Sequence, residues 1–408
     1  MKLITTTATA ILAALLATPA VAQTKPAPAA AQAPEPKITP SKGAMKALVD
    51  LQTAVQKNDV ANIPAKVAAA QAVATTKEDK YLVGRMRLQA AIAAKDNAAT
   101  ASAIDAIVAS GYLDATKSSQ LYLGLGGTYY NNKQYAEASA AYRKAVSLDA
   151  NNGEAASLLG ESLISQGQKA EAATAFQRAV QARVAAGQKP DEALVKRAVA
   201  VAYEAQSPSA MDLARQWVTA YPSAASWSDT IAIYTNLGHP DTEGTLDLLR
   251  LMQATGSLNT AGEYEQYSRA AADQNNYNEA QAVLDAGVAA KLIDPSKAEY
   301  RDLVQGLKAK GKATAADLDA AAKVATTGIA LVHIGDRYAA MGNNAKAAEL
   351  YRAALAKPGT DAGIANLHLG MALAKAGDKA GATAALNAVT GPRADIAKLW
   401  LTYVNQKA

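Results

Sequence analysis

The sequence contains no cysteine among its 408 residues. That absence excludes disulfide bonds, thiol nucleophiles and a lipid-modified N-terminal cysteine. Histidine is nearly as scarce, since the chain has only His239, His333 and His368. A nucleophile with a histidine base would need serine or threonine beside one of these three, and none lies in a glycine-rich nucleophile turn. We therefore assign no catalytic residue and expect no enzyme activity.

Aromatic side chains are also few. They make up 5% of the chain, as 17 tyrosines, three tryptophans and one phenylalanine. Half of the residues are hydrophobic, and much of that half is alanine, the residue with the highest helix propensity. The composition indicates a thin core built from closely packed helices. A stack of small repeated units suits such a core because each unit packs only against its neighbours.

Charge of one sign is not concentrated anywhere. The chain has 41 basic and 36 acidic residues, and the only tight basic cluster is Lys308, Lys310 and Lys312. A nucleic-acid interface needs basic residues clustered on one face, so we expect no nucleic-acid partner. The glycine-rich sequence at 124–127 lies within a predicted helix rather than after a strand. It is therefore no phosphate-binding loop, and we expect no cofactor.

The N-terminus has the features of an export signal. Lys2 gives a short positive end, residues 8–18 are apolar, and Ala20, Val21 and Ala22 form a small-residue cleavage site. The pattern predicts a secretory signal peptide at 1–22 and a mature chain that begins at Gln23. An uncleaved membrane anchor is the alternative, but the apolar run is shorter than the ~20 residues that span a bilayer. No later stretch is long and apolar enough to span one, so we expect a periplasmic or secreted protein.

Proline is concentrated in the next segment. Five of the 14 prolines fall among alanines within residues 23–42, which predicts an extended, disordered linker. The alternative is a polyproline ligand for a groove. The helical period begins at residue 43, and residues 43–111 predict helical hairpins without a clear repeat motif. We interpret these hairpins as degenerate units that cap the N-terminal end.

Two adjoining stretches, 119–152 and 153–187, repeat one pattern, and their matching positions lie 34 residues apart. In each stretch two predicted helices flank a polar turn. Gly126 and Gly160 on the first helices are matched by small residues on the second helices, so the backbones can approach closely. The matching positions are Tyr122, Leu125, Gly126, Tyr129, Ala138, Tyr142 and Ala145, and then Ala156, Leu159, Gly160, Leu163, Ala172, Phe176 and Ala179.

These positions resemble the tetratricopeptide repeat (TPR) family, whose motif has an aromatic residue, Leu-Gly, Tyr, and then Ala with an aromatic four residues later, at a period of about 34 residues. The family's closing proline is absent here. The resemblance implies an all-α solenoid of helical hairpins with a right-handed superhelix. It covers residues 112–392, and residues 393–408 predict a capping helix over the last unit. The clearest units are 119–152, 153–187, 263–295, 328–361 and 362–392.

The resemblance also implies a partner-binding surface, because the first helices of such arrays line the concave face. Some relatives hold a peptide's C-terminal carboxylates there with lysine and asparagine, but this chain has Leu123 and Gly127 at those positions in the first clear unit. The surface that this chain offers is mixed apolar and polar, so we expect it to bind an extended or helical segment. The predicted contact residues are Leu123, Tyr130, Asn131, Glu161, Ile164, Asp336, Leu367, Met371 and Lys375.

Two pairs of side chains allow more than one interpretation. His333 and His368 stand at the same position of consecutive units, but without cysteine they fall short of the three or four ligands that zinc takes. We interpret them as structural or groove-lining and expect no metal site. Trp217 and Trp227 most simply pack between helices, and exposed binding residues are the alternative.

Two classes of function follow from these observations. The first is an exported bacterial TPR protein that acts as a non-catalytic protein–protein interaction scaffold of the envelope and binds an unidentified envelope protein or peptide in its concave groove. The alternative is an envelope enzyme, or a subunit of an enzyme complex, that acts on cell-wall or surface polymer. A pair of carboxylates across the concave face would favour the alternative, but the acidic residues are scattered in the sequence.

Overall fold

The computed structural model describes residues 38–407. The predicted signal peptide and most of the predicted linker, residues 1–37, lie outside the described residues. Within 38–407 the chain forms 21 α-helices and one short 3-10 helix, with no strand, which confirms the all-α prediction. No helix in this range is long and apolar enough to span a membrane. The chain divides into two compact units after Ser209, and each is described separately.

The N-terminal unit is a series of helical hairpins followed by one further helix. Its helices are α1 (Met45–Gln56), α2 (Ile63–Val73), α3 (Lys77–Ala93), α4 (Asn97–Ala109), α5 (Ala115–Asn131), α6 (Tyr135–Leu148), α7 (Gly153–Ser165), α8 (Lys169–Ala185) and α9 (Glu192–Glu204). Each pair from α1–α2 to α7–α8 packs as a hairpin, and α9 packs against α8. Several helices begin at a capping side chain, since Asp96, Asp114 and Asn152 each accept a hydrogen bond from the backbone N–H three residues later. Such a cap contributes about 1 kcal/mol.

The C-terminal unit continues the hairpin pattern. Its helices are α10 (Ser209–Ala220), which begins at the boundary, α11 (Ala224–Gly238), α12 (Thr242–Thr255), α13 (Ala261–Asp273), α14 (Tyr277–Ala289), α15 (Ala298–Lys310), α16 (Ala315–Val324), α17 (Gly328–Ala340), α18 (Asn344–Leu355), α19 (Ala362–Lys375), α20 (Lys379–Asn387) and α21 (Ala394–Gln406), with the 3-10 helix Gly391–Arg393 before α21. Trp227, Trp400 and Trp217 are all at most 3% exposed. The packing interpretation of Trp217 and Trp227 is therefore confirmed.

In four of the five clear repeats, 119–152, 153–187, 328–361 and 362–392, a glycine on the first helix touches a large side chain on the second. A Cβ atom at Gly160 would lie 2.7 Å from the Phe176 ring, and one at Gly335 would lie 2.6 Å from the Tyr351 ring. Gly126 is covered in the same way by Tyr142. The two residues of each pair are 16 positions apart in the sequence. The absence of a side chain on the first helix therefore makes room for the large residue that fills the hairpin.

The C-terminal unit differs from a simple stack in two places. Helix α14 packs directly against α17, although the hairpin α15–α16 separates them in sequence. The last helix α21 packs against α20, and it also packs against α12 near the start of the unit. Its Gln406 side chain accepts a hydrogen bond from Trp227 Nε1 and donates one to the Val218 carbonyl. The end of the unit is therefore bonded to its beginning.

Helix α12, against which the last helix α21 packs, is buried on almost every side. Its residues 246–252 are all at most 7% exposed, and five of these seven are leucine or methionine. A helix that is apolar all round must be enclosed by other helices. The remaining two residues, Asp247 and Arg250, carry charge into this interior, which requires partners for both.

Candidate functional site

The predicted contact residues of the N-terminal unit lie on α5 and α7. Tyr130 and Ile164 are half-buried, and they occupy the same repeat position 34 residues apart. Leu123 is also half-buried, and Asn131 is exposed. Glu161 forms a two-armed ion pair with Arg197 of α9, with both N–O distances 2.9 Å. We name the side of α5 and α7 that carries Leu123, Tyr130, Glu161 and Ile164 the first-helix face.

The predicted contact residues of the C-terminal unit have a different environment. Asp336, Met371 and Lys375 line one cavity of about 110 Å³ between α12, α14, α17 and α19. Lys375 is exposed at its mouth, whereas Asp336 lies in its wall with a side chain that is 12% exposed. Leu367 is fully buried. Leu367 is therefore not accessible to a partner, and its prediction as a contact residue is wrong.

A buried charge cluster forms the floor of this cavity, and Arg250 is at its centre. The Arg250 guanidinium donates to both carboxylate oxygens of Glu279, at 2.8 and 2.7 Å, and to Asp247 Oδ1 at 2.9 Å. His368 Nε2 lies 3.0 Å from the same Asp247 oxygen, and His368 Nδ1 lies 2.8 Å from Asp336 Oδ1. The cluster thus joins α12 to α14, α17 and α19.

Neutral side chains donate further hydrogen bonds to Glu279 and Asp336. Tyr267 donates its hydroxyl to Glu279 at 2.9 Å, and Asn276 donates an amide N–H to the same carboxylate at 2.8 Å. The Tyr351 hydroxyl donates to Asp336 at 2.7 Å. The repeat-forming tyrosine of α18 therefore both fills the space above Gly335 and orients a charged residue of the cavity.

Two opposing effects set the charge states in the cluster. Burial disfavours the charged forms, and ion pairing favours them. Burial alone would neutralise His368, but Asp336 and Asp247 outweigh it and raise the pKa of His368 to about 10. Burial likewise opposes ionisation of Asp336, but His368 and Arg250 outweigh it and lower its pKa. Burial, reinforced by Asp336, raises the pKa of Tyr351. At neutral pH the cluster is therefore a set of ion pairs with un-ionised tyrosines.

Asp336 is unsuited to act as a general acid. A general acid that works on a glycosidic bond needs a carboxyl group whose pKa is raised, whereas the pKa of Asp336 is lowered and Glu279 accepts hydrogen bonds on both oxygens. Within residues 38–407 no group of three or more His, Asp or Glu side chains is arranged to hold a metal ion. His333, at the position equivalent to His368, is exposed. The cluster can bind and orient a polar group in the cavity, and its ion pairs hold α12, α14, α17 and α19 together.

Sequence reasoning did not identify Asp247, Arg250 and Glu279 as members of this site. One signal was available, because Asp247 and Arg250 interrupt a leucine-rich run of α12 at a spacing of three residues. Charged residues within an otherwise apolar helix are rare unless they are paired. Their partners could not be identified from the pattern, since His368 lies 118 positions after Arg250 in the chain.

The raised pKa of His368 predicts a pH-dependent stability. The native protein keeps the His368 proton up to about pH 10, whereas an unfolded histidine loses it near pH 6.5. The stabilisation is therefore complete below pH 6.5 and is lost as pH rises towards 10. We expect the free energy of unfolding to fall by about 1 kcal/mol per pH unit between pH 7 and 9. Urea denaturation at several pH values measures this slope.

The matched control is the exposed histidine. The variant His333→Gln should keep the slope of the parent, whereas His368→Gln should be less stable at neutral pH and show a flatter profile. Equal slopes in the parent and in His368→Gln would contradict the assigned charge state.

Comparison with known proteins adds sequence evidence to this geometry. The family model described as "Tetratricopeptide repeat" matches residues 123–190, 157–229 and 334–395. No curated protein matches the chain. Among solved structures, the chain is similar to the crystal structure of the APC/C hetero-tetramer Cut9-Hcn1, with 10% identity over 90% of this chain and 84% of that chain. The TM-score of that match is 0.21, so it carries no argument here.

The family matches and the packing point to the same residues. The matched ranges contain four glycines, at 126, 160, 335 and 370, that are each covered by a large side chain from the second helix of their own hairpin. They also contain the hairpins α7–α8 and α19–α20, together with α6, α18 and the C-terminal parts of α5 and α17. Residues 123–229 and 334–395 therefore carry tetratricopeptide repeats.

Proposed function

We propose that this protein is a non-catalytic interaction scaffold of the bacterial envelope, and that its first-helix face binds a segment of another protein. The repeat carries this proposal, because stacked hairpins present equivalent side chains at regular intervals along one surface. Tyr130 and Ile164 are such a pair. Their half-buried side chains are held in place by their own helices while part of each remains available to a partner.

The chemistry of the first-helix face favours a mainly apolar segment. Leu123, Tyr130 and Ile164 offer apolar area, and Arg197 already neutralises Glu161. Apolar and tyrosine contacts require little desolvation of charge, and aromatic residues are frequent anchors of protein interfaces. Asn131 is exposed beside this strip and can exchange hydrogen bonds with a partner's backbone. The expected partner is thus an extended or helical segment with apolar side chains.

The envelope location rests on the sequence of the leader. A short basic end, an apolar run and Ala20-Val21-Ala22 are typical of a cleaved secretory signal. An exported scaffold of this kind would meet its partner outside the cytoplasm. Fractionation of native cells tests the location in the same preparation that supplies the partner.

The binding face is tested by a double substitution. We expect Tyr130→Ala with Ile164→Ala to reduce partner capture from a cross-linked native envelope fraction at least tenfold, because both anchors of the face are truncated. Quantitative mass spectrometry of the recovered partner measures the loss.

The control pair truncates apolar residues of the same unit that lie elsewhere. Ile92 and Val184 are 59% and 52% exposed on α3 and α8. The variant Ile92→Ala with Val184→Ala should capture as much partner as the parent, and both double variants should keep the parent's helicity. Equal capture by the two double variants would reject the first-helix face. Turnover of a cell-wall polymer by the purified protein alone would reject the scaffold.

A further inference from the structure

The cavity of the C-terminal unit has unused hydrogen-bonding groups of opposite charge. Asp336 Oδ1 is occupied by His368 and Tyr351, but Asp336 Oδ2 has no hydrogen-bond partner within the described chain. Arg250 Nη2 lies 3.9 Å from this oxygen, beyond hydrogen-bonding distance. The wall of the cavity therefore presents one free carboxylate oxygen.

The mouth of the same cavity presents free donors. Lys375 lines the cavity and has no ion pair or hydrogen bond with any described residue. Gln253 also lines the mouth. Its side-chain oxygen lies 3.4 Å from the Tyr267 hydroxyl, whereas its amide N–H groups donate to no described residue. An anionic acceptor inside and a cationic donor at the mouth define a polarity along the cavity.

The remaining lining limits the size of a ligand. Small and apolar side chains form the other walls, among them Val283, Ala339, Met371 and Ala372. The volume of about 110 Å³ exceeds the ~30 Å³ that one water molecule occupies and is somewhat below the ~150 Å³ of a cavity that holds benzene. The cavity therefore suits a small molecule that has polar ends and a short apolar part.

We propose that this cavity binds a small free α-amino acid, of the size of glycine, alanine or serine, as its zwitterion. The α-ammonium group donates to Asp336 Oδ2, and the α-carboxylate accepts from Lys375 and Gln253 at the mouth. Arg250 and Glu279 do not bind the ligand directly, because they are already paired with each other in the floor. They hold Asp336 and its neighbours in position.

The charge state of both ends supports this assignment. His368 and Arg250 lower the pKa of Asp336, so the free oxygen stays anionic at neutral pH. The protein around the mouth lowers the pKa of Lys375 by partial desolvation. That desolvation favours an incoming carboxylate, since the ammonium group has lost part of its water and has no partner in the protein. This site is in the C-terminal unit and does not depend on the proposed partner-binding face.

Isothermal titration calorimetry on the full chain at neutral pH tests the site with three amino acids, three compounds that lack one charged end, and a peptide with a free N-terminus. Alanine should bind, whereas N-acetylalanine, alaninamide and acetate should each bind at least about tenfold more weakly, since each lacks one of the two charged ends. Equal affinity for alanine and N-acetylalanine would overturn the role of Asp336. No detectable heat with alanine, glycine or serine would overturn the site. Tighter binding of a peptide with a free N-terminus than of alanine would show instead a socket for a protein terminus.

A substitution at the mouth provides the independent check. Lys375→Gln should weaken alanine binding at least tenfold without changing the melting temperature, because Lys375 has no partner to lose. The matched control is Lys323→Gln, an exposed and unpaired lysine on α16 of the same unit, which should bind alanine as the parent does. Equal binding by the parent and by Lys375→Gln would overturn the assigned orientation.

Discussion

Replacing Arg250 by methionine is expected to lower the free energy of unfolding by about 3–5 kcal/mol, the range typical when one partner of a buried ion pair is removed. Arg250 and Asp247 are 6% and 0% exposed, and Glu279 is 8% exposed. Without the guanidinium, Glu279 and Asp247 stay buried as anions that have lost their closest cation. Urea denaturation at pH 7 measures the loss.

A surface ion pair of the same unit gives the matched control. Arg269 pairs with Glu265 one turn away on α13, and its side chain is 54% exposed. The variant Arg269→Met should cost less than about 1 kcal/mol, because water already solvates both charges. Similar losses in Arg250→Met and Arg269→Met would mean that the charge cluster does not hold the C-terminal unit together.

A methyl group at Gly335 is expected to cost about 1–3 kcal/mol, the usual range for overpacking a core. The added Cβ atom would lie 2.6 Å from Tyr351 Cε1. The ring cannot move away freely, because Tyr351 is 1% exposed and its hydroxyl is bonded to Asp336. Thermal unfolding of Gly335→Ala measures the cost, and the melting temperature should fall.

The control for this substitution is a helical glycine with no close neighbour. A Cβ atom at Gly306 on α15 would meet nothing within 4 Å. Gly306→Ala should therefore leave stability unchanged or raise it by up to about 1 kcal/mol, since alanine is the better helix former. If Gly335→Ala melted like Gly306→Ala, the hairpin packing assigned to α17 and α18 would be incorrect.

The repeat could be predicted from the sequence because its causes are local. The glycine and the large residue that covers it are 16 positions apart, so the motif itself encodes the hairpin. Residues 43–111, for which the sequence predicts hairpins, contain α1 to α4, and α3 and α4 begin at the capping residues Thr76 and Asp96. Helix existence, turn position and the buried face all follow from spacing within one unit.

The closure of the C-terminal unit could not be predicted in the same way. It depends on pairs such as Asp247 with His368 and Asp241 with Arg393, which are 121 and 152 positions apart. No period in the sequence relates them. The same limit applies to Leu367. Its position in the repeat predicted an open surface, but its side chain is fully buried. The burial of these residues depends on how the other helices of the unit surround α12.

Site-specific photo-cross-linking shows directly whether the first-helix face contacts a partner. A photoreactive aromatic residue would replace Tyr130 in one variant of the full chain and Val184 in another, and each would be irradiated in the native envelope. Position 130 lies on the first-helix face, whereas Val184 is exposed on α8. If the first-helix face binds a partner, we expect a discrete cross-linked product from position 130 and none from position 184. Cross-linking from position 184 alone, or equally from both positions, would contradict binding at this face.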